Sequence, residues 1–168
     1  MKKLILSTLI AIGILTSCTA QNTELPKESL SKKLTTKENT EIKFKKVLKE
    51  HLGRVTVIEV WASWCSDCVK AMPKVKELQA NNPDVDYVFI SLDKTFDKWQ
   101  AAIEKHELKG EHYWVNDPKL MKGAFGKSIN LDWVPRYIVI NKKGEVEIYR
   151  AIETDFEKIN ETLKKLQK

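Results

Sequence analysis

The sequence predicts an α/β fold, a central mixed sheet sandwiched between helices, and three observations carry that expectation. Two runs rich in β-branched residues, Val55–Trp61 and Asp86–Leu92, are apolar on both faces, as buried strands should be. A helix-periodic stretch follows each of them. A pair of short strands then precedes a last amphipathic helix, which gives the order β-α-β-α, hairpin, α.

Each element has its own signal. Phe44-Lys45-Lys46-Val47-Leu48 reads as a helical turn or two ending near Gly53. Residues 66–81 place Val69, Met72, Val75 and Leu78 on one side of a helix that Asn81-Asn82-Pro83 stops. Phe96, Trp99 and Ile103 fall at helical spacing in a helix over 95–108, with Gly110 placed to end it. Tyr137–Ile140 and Val146–Tyr149 flank Asn141-Lys142-Lys143-Gly144, a hairpin turn with glycine where a left-handed residue is needed. Thr154-Asp155-Phe156-Glu157 has the form of a capping box, and the helix behind it turns Phe156, Ile159, Leu163 and Leu166 inward. Trp99 and Trp133 read as core or rim packing, and Trp114 finds no place in this scheme.

With 168 residues, 42% hydrophobic and 31% charged, the chain has room for one globular domain and a short appendage. The appendage is N-terminal. Lys2 and Lys3 precede an apolar run from Leu4 to Leu15, shorter than a comfortable bilayer span but of signal-peptide length. It ends in Leu15-Thr16-Ser17-Cys18, which resembles a bacterial lipobox. That resemblance implies removal of residues 1–17 and acylation of Cys18, whose lipid would hold the protein at a membrane. Residues 18–40, polar apart from Leu25, Leu30 and Leu34, read as a flexible tether, and residues 41–168 as the domain. As a coil the tether would reach on the order of 25 Å. The formal charge is +6, with Lys2 and Lys3 contributing two of those charges. No basic stripe with interleaved aromatics accompanies it, so no nucleic-acid partner is expected.

Three cysteines are present, and with Cys18 assigned to lipid the other two, Cys65 and Cys68, form a closed pair. They stand where a strand ends and a helix begins. Two intervening residues let the sulfurs meet within one helical turn. The free N–H groups and positive end of the helix dipole favour a thiolate at Cys65, which attacks, while the shielded Cys68 resolves the mixed disulfide. Zinc would need two further ligands, yet His51, His106 and His112 lie scattered without ligand spacing, so neither metal nor cofactor is expected. A purely structural disulfide is the remaining alternative, although so small a loop stabilises little.

At these residues the chain resembles the thioredoxin superfamily, specifically the membrane-tethered TlpA/ResA type, over about residues 42–168. Trp61 and Trp64 match its W-x-x-W-C, Pro73 its active-site helix proline, and Glu59 its buried acid beneath the disulfide. Val134-Pro135 matches the family's cis-proline, and the span from Leu92 to Pro135 has room for the extra helix and strand of this type. The resemblance implies a thioredoxin fold with a β/α insertion before that proline. It implies that Glu59 moves protons for Cys68, and that Trp64, Val134 and Pro135 meet substrate. A buried Glu59 satisfied by hydrogen bonds alone, and an ordinary trans Pro135, are the plainer readings of the same residues.

Between the cysteines the chain departs from the family, with Ser66-Asp67 in place of Gly-Pro or Pro-His. At roughly 6 Å and an effective dielectric of about 40, the Asp67 carboxylate opposes charge on the Cys65 sulfur by about 1.4 kcal/mol. That destabilises the reduced form and favours electron donation, so Ser66 and Asp67 are expected to tune the pair toward a reductant. The expected partners are disulfide-bearing exported or membrane proteins and a dithiol electron donor. The expected setting is the outer side of a bacterial membrane, on the periplasmic side, with the chain acting as a monomer. An oxidase or isomerase, or a binding module without turnover, is the alternative function.

Overall fold

The computed structural model describes residues 24–168, so the expected leader and Cys18 lie outside the described residues. Its centre is a seven-stranded mixed sheet in the order β2-β1-β5-β4-β3-β6-β7. The strands are β1 (Lys33–Thr35), β2 (Glu41–Lys43), β3 (Thr56–Trp61), β4 (Asp86–Ser91), β5 (Glu111–Trp114), β6 (Arg136–Ile140) and β7 (Val146–Ala151). The helices are α1 (Phe44–Glu50), α2 (Ser66–Asn81), α3 (Phe96–His106), α4 (Ala124–Ser128) and α5 (Phe156–Leu166).

The middle of the sheet follows from the apolar runs. Every residue of β3 is buried, because helices cover both of its faces. β4 and β5 run parallel to β3, with α2 and α3 as the crossovers. β6 returns antiparallel on the other side of β3, and the turn at Asn141–Gly144 carries it into β7. Gly144 has φ +85, the left-handed geometry expected there. Side chains alternate across β3, so Val57, Glu59 and Trp61 share one face. Trp61 meets His106 of α3 edge to face on that side, and Tyr137, opposite Glu59 in β6, packs on Phe156 of α5.

Four sequence expectations change. The first is the tether. Ser29–Ser31 form a 3-10 turn, β1 and β2 pair as a hairpin, and Thr35 of β1 pairs with Trp114 of β5. Leu25 and Leu34 are buried in the same core as the central strands. Residues 24–40 are therefore part of the domain, whose described portion starts well before residue 41. Their apolar residues are too few to show a period, yet the edge of β5 requires a covering partner and this segment supplies it.

The second concerns the end of α3. Glu107, at φ 52, is the left-handed cap, and its N–H donates to Ile103 O. Gly110 serves a close approach instead, since a Cβ there would lie 2.3 Å from Tyr87 O. Third, the capping box of α5 does not form. The Asp155 carboxylate accepts from Ile152 N–H at 2.9 Å and no side chain caps the helix. Fourth, Trp114, which found no place in the sequence, is buried and donates its Nε1–H to Asp93 O at 2.7 Å; of the two tryptophans read as core or rim, Trp99 is buried and Trp133 is 54% exposed.

The hairpin β1–β2 offers a direct test. Leu34 is 1% exposed, so Leu34→Ala should cost about 2–5 kcal/mol in urea denaturation, as a core truncation does. A tether residue would show no loss.

Candidate active site

Cys65 sits at the boundary between β3 and α2, and its extended backbone (φ −84, ψ 112) makes it the N-cap of that helix. Serine or aspartate commonly fills this position, because the cap side chain must accept from an orphan N–H of the first turn. Here the sulfur takes that role, with Cys68 N–H donating to Cys65 Sγ at 3.2 Å. Both cysteines are free thiols, and Cys65 Sγ–H donates to Val134 O at 3.3 Å. The Val134–Pro135 peptide bond is cis. Cys65 is thus held between the start of a helix and the loop that enters β6.

Shielding is not confined to Cys68. Only 8% of the residue is accessible, against none of Cys68, so the difference between them is one of degree. Val134, whose carbonyl meets the sulfur, is itself buried. Trp64 stands 45% exposed and donates Nε1–H to Leu92 O at 3.1 Å, which ties its ring to the end of β4. Ser66 is exposed and Asp67 half-buried in the first turn of α2, and the Ser66 hydroxyl lies 3.5 Å from Asp67 Oδ1.

Beneath the pair the environment is apolar and acidic. Glu59, 2% exposed, projects from the middle of β3 toward α2. Burial pushes its carboxyl up to about 8, partly offset by the hydroxyl of Tyr137, which donates to Glu59 Oε1 at 3.2 Å. Its other oxygen, Oε2, has no hydrogen-bond partner. Burial pushes the Cys68 thiol far up, and the hydrogen bond with Cys65 and the nearby charges of Cys65 and Glu59 push it further. Cys68 is therefore a protonated thiol that needs a base, with an acid titrating near neutrality close by.

Three supports were missed in the sequence. Asp93, 1% exposed, accepts from Ser63 N–H at 3.1 Å and from the Ser63 hydroxyl at 2.6 Å. It also accepts from the Ser91 hydroxyl at 2.8 Å, so it ties the end of β4 to the loop that delivers Cys65. An acid directly after a buried strand, at the same sheet end as the cysteines, was the available signal. Tyr137 gave none, because its place opposite Glu59 depends on the β3–β6 register. The third is Arg136, nearly buried, which pairs with Asp132 at 2.6 Å and donates to Arg150 O at 2.8 Å, bracing the Val134 loop.

A thioredoxin-like family profile matches residues 53–146, which spans β3, the cysteines, the insertion and the β6–β7 turn. The chain belongs to the thioredoxin-like family. Within this family it is similar to the thiol-disulfide oxidoreductase ResA of Bacillus thuringiensis, 27% identical over 130 residues, covering 76% of this chain and 72% of that one. It is also similar to the sporulation thiol-disulfide oxidoreductase A of Bacillus subtilis, 21% identical over 95 residues. That match covers 56% of this chain and 58% of the relative, so the chain spans little more than half of that protein's length. Among solved structures, a secreted Mycobacterium tuberculosis disulfide oxidoreductase homologous to E. coli DsbE superposes with a TM-score of 0.63 at 18% identity. The superposition covers 83% of this chain and 99% of that one, and at such identity it speaks for the thioredoxin-like fold.

Two measurements check this thioredoxin-like site. With both thiols reduced, iodoacetamide near neutral pH should alkylate Cys65 at least tenfold faster than Cys68, read by peptide mass spectrometry. Equal rates would contradict the division between them. The second concerns Glu59. Its folded-state pKa lies near 8, above the ordinary carboxyl range, so the folded protein binds the extra proton and stability falls as pH rises from about 4.5 to 8. Glu59→Gln removes this dependence. Relative to wild type, the variant should gain on the order of a few kcal/mol in urea denaturation between pH 5 and pH 8.5. A constant gap across that range would show that Glu59 is not held neutral.

Proposed function

We propose that the chain is a thiol-disulfide oxidoreductase that reduces disulfides in exported or membrane proteins. The observation that carries this reading is the asymmetry of the pair. Cys65 Sγ accepts a helix N-terminal N–H, while Cys68 is fully buried, protonated and close to the raised carboxyl of Glu59.

The reaction follows from that asymmetry. The Cys65 thiolate, stabilised by the Cys68 N–H and the helix dipole, attacks one sulfur of a target disulfide. A mixed disulfide forms and the other target sulfur leaves as a thiolate that takes up a proton. The Glu59 carboxylate then removes the Cys68 proton, and the Cys68 thiolate attacks Cys65 Sγ. The Cys65–Cys68 disulfide forms, the second target sulfur departs with its electron pair, and two electrons have passed to the target. A dithiol protein must return two electrons to reset the site. Trp64 and the Val134-Pro135 loop flank the sulfur and offer an apolar face and backbone groups to an extended target segment.

The direction of electron flow rests on Asp67. A carboxylate in the first turn of α2 opposes the charge that the helix start would stabilise at Cys65. A less stable dithiol gives up electrons more readily. The setting is extracytoplasmic with a lipid at Cys18, supported by the Leu15–Cys18 pattern and by the secreted relative.

A redox titration against glutathione or dithiothreitol tests activity and direction together. The wild-type potential should lie nearer −270 mV than −120 mV, roughly the thioredoxin and DsbA ends of the scale. Asp67→Asn should raise it by up to about 30 mV. A wild-type value above about −180 mV would reverse the assigned direction, and a pair that forms no intramolecular disulfide would remove the activity itself.

A further inference from the structure

Three large apolar side chains stand exposed among the described residues, and two of them, Trp64 and Trp133, adjoin in sequence Cys65 and its hydrogen-bond partner Val134. The third, Leu52, is 55% exposed and lies at the opposite end of the sheet. It follows α1 and leans on the β6–β7 turn, where a Cβ on Gly144 would come within 3.0 Å of its Cδ2. Gly53 N–H donates to Lys142 O at 2.9 Å and locks this loop to that turn. Leu30, Leu48, Leu52 and Ile140 line an apolar groove of about 330 Å³, rimmed by Lys45, Lys49 and Lys143.

The rim of the groove is predominantly basic. Lys45, Lys49, Lys142 and Lys143 are exposed, and no ion pair among the described residues engages them. Of the three acids beside them, Glu50 faces Lys46, and Glu145 and Glu147 both accept from the Asn141 amide, at 2.9 and 2.7 Å. A projecting leucine and an apolar groove inside a ring of lysines match an anionic lipid surface, where headgroup phosphates lie directly above acyl chains.

The length of chain before the domain points the same way. Leu25 is buried and Leu30 lines the groove, so packing begins close to Cys18. From Cys18 to Leu25 the backbone extends at most about 25 Å. A lipid on Cys18 would keep the bilayer within that distance of Leu25, five residues before the groove residue Leu30, at all times. A soluble protein partner would have to reach this face by diffusion, against that high effective concentration of lipid.

We propose that this face docks on an anionic membrane surface, with the lysines on the phosphates and Leu52 at the acyl boundary, so that Cys65 faces away from the bilayer. The proposal rests on the acylation of Cys18 put forward above.

The test uses the full chain carrying Leu52→Trp, purified from bacterial membranes. It is reconstituted into vesicles of brominated phosphatidylcholine, alone or mixed with phosphatidylglycerol. Bromine quenches an indole on contact, so emission in excess of the wild-type signal should be at least halved in the anionic vesicles and unaffected in the zwitterionic ones. Raising the salt concentration, which shortens electrostatic range, should restore it. Lys45→Glu/Lys49→Glu/Lys143→Glu in the same background should restore it at low salt. Quenching that is absent, or equal in both lipids and indifferent to salt, overturns the docking. The mass of the N-terminal peptide from the same sample separates the two readings. With Cys18 acylated and no quenching, the docking fails and the anchor stands, whereas an unmodified Cys18 removes both.

Discussion

The Cys65 sulfur is an N-cap, and the site depends on that one substitution of sulfur for oxygen. A helix start must have its orphan N–H groups answered, and the fold answers one of them with a cysteine sulfur. The contact with Val134 O then joins the start of α2 to the loop before β6. Two segments about seventy residues apart in the chain meet at one atom. Everything that aligns them, from the β3–β6 register to the Asp93 clamp on Ser63, acts on the position of that sulfur.

The buried acid is the second constraint. A carboxyl placed in a fully covered strand is stable only when protonated, paired or well hydrogen-bonded, and Glu59 has a single donor. The protein therefore carries a proton in its core that it can release near neutral pH. The same burial that raises Glu59 raises Cys68, so base and thiol stay matched to each other and apart from solvent. Such a pair weakens the fold at alkaline pH, where the buried carboxyl must ionise.

The edges of the sheet show how a small domain protects a parallel core. β4 and β5 extend the sheet beyond the catalytic strand, and β1–β2 cover the edge that would otherwise remain open. On the opposite side, β6 and β7 bring the Arg136–Asp132–Arg150 cluster beneath the Val134 loop. At the cysteine end Trp64 and Trp133 are left exposed.

By itself the sequence determined the covalent pattern and the local periodicity. The strand runs, the 66–81 helix, the cysteine pair at its start and the acid at Glu59 were legible because each is a short-range signal: alternation, helical spacing, or a fixed offset between residues. The tertiary structure alone decided the rest. Tyr137 reaches Glu59 only through strand register, and Asp93 reaches Ser63 only because β4 lies beside β3. Leu34 became core because a sheet edge far along the chain needed cover, and no periodicity in three residues could announce that. The capping box at Thr154–Glu157 failed for the converse reason, since Asp155 found a nearer donor in Ile152 N–H once the chain had left β7. Local pattern fixes what each segment can form, while burial and hydrogen-bond partners are supplied by segments distant in sequence, and those are chosen only when the sheet assembles.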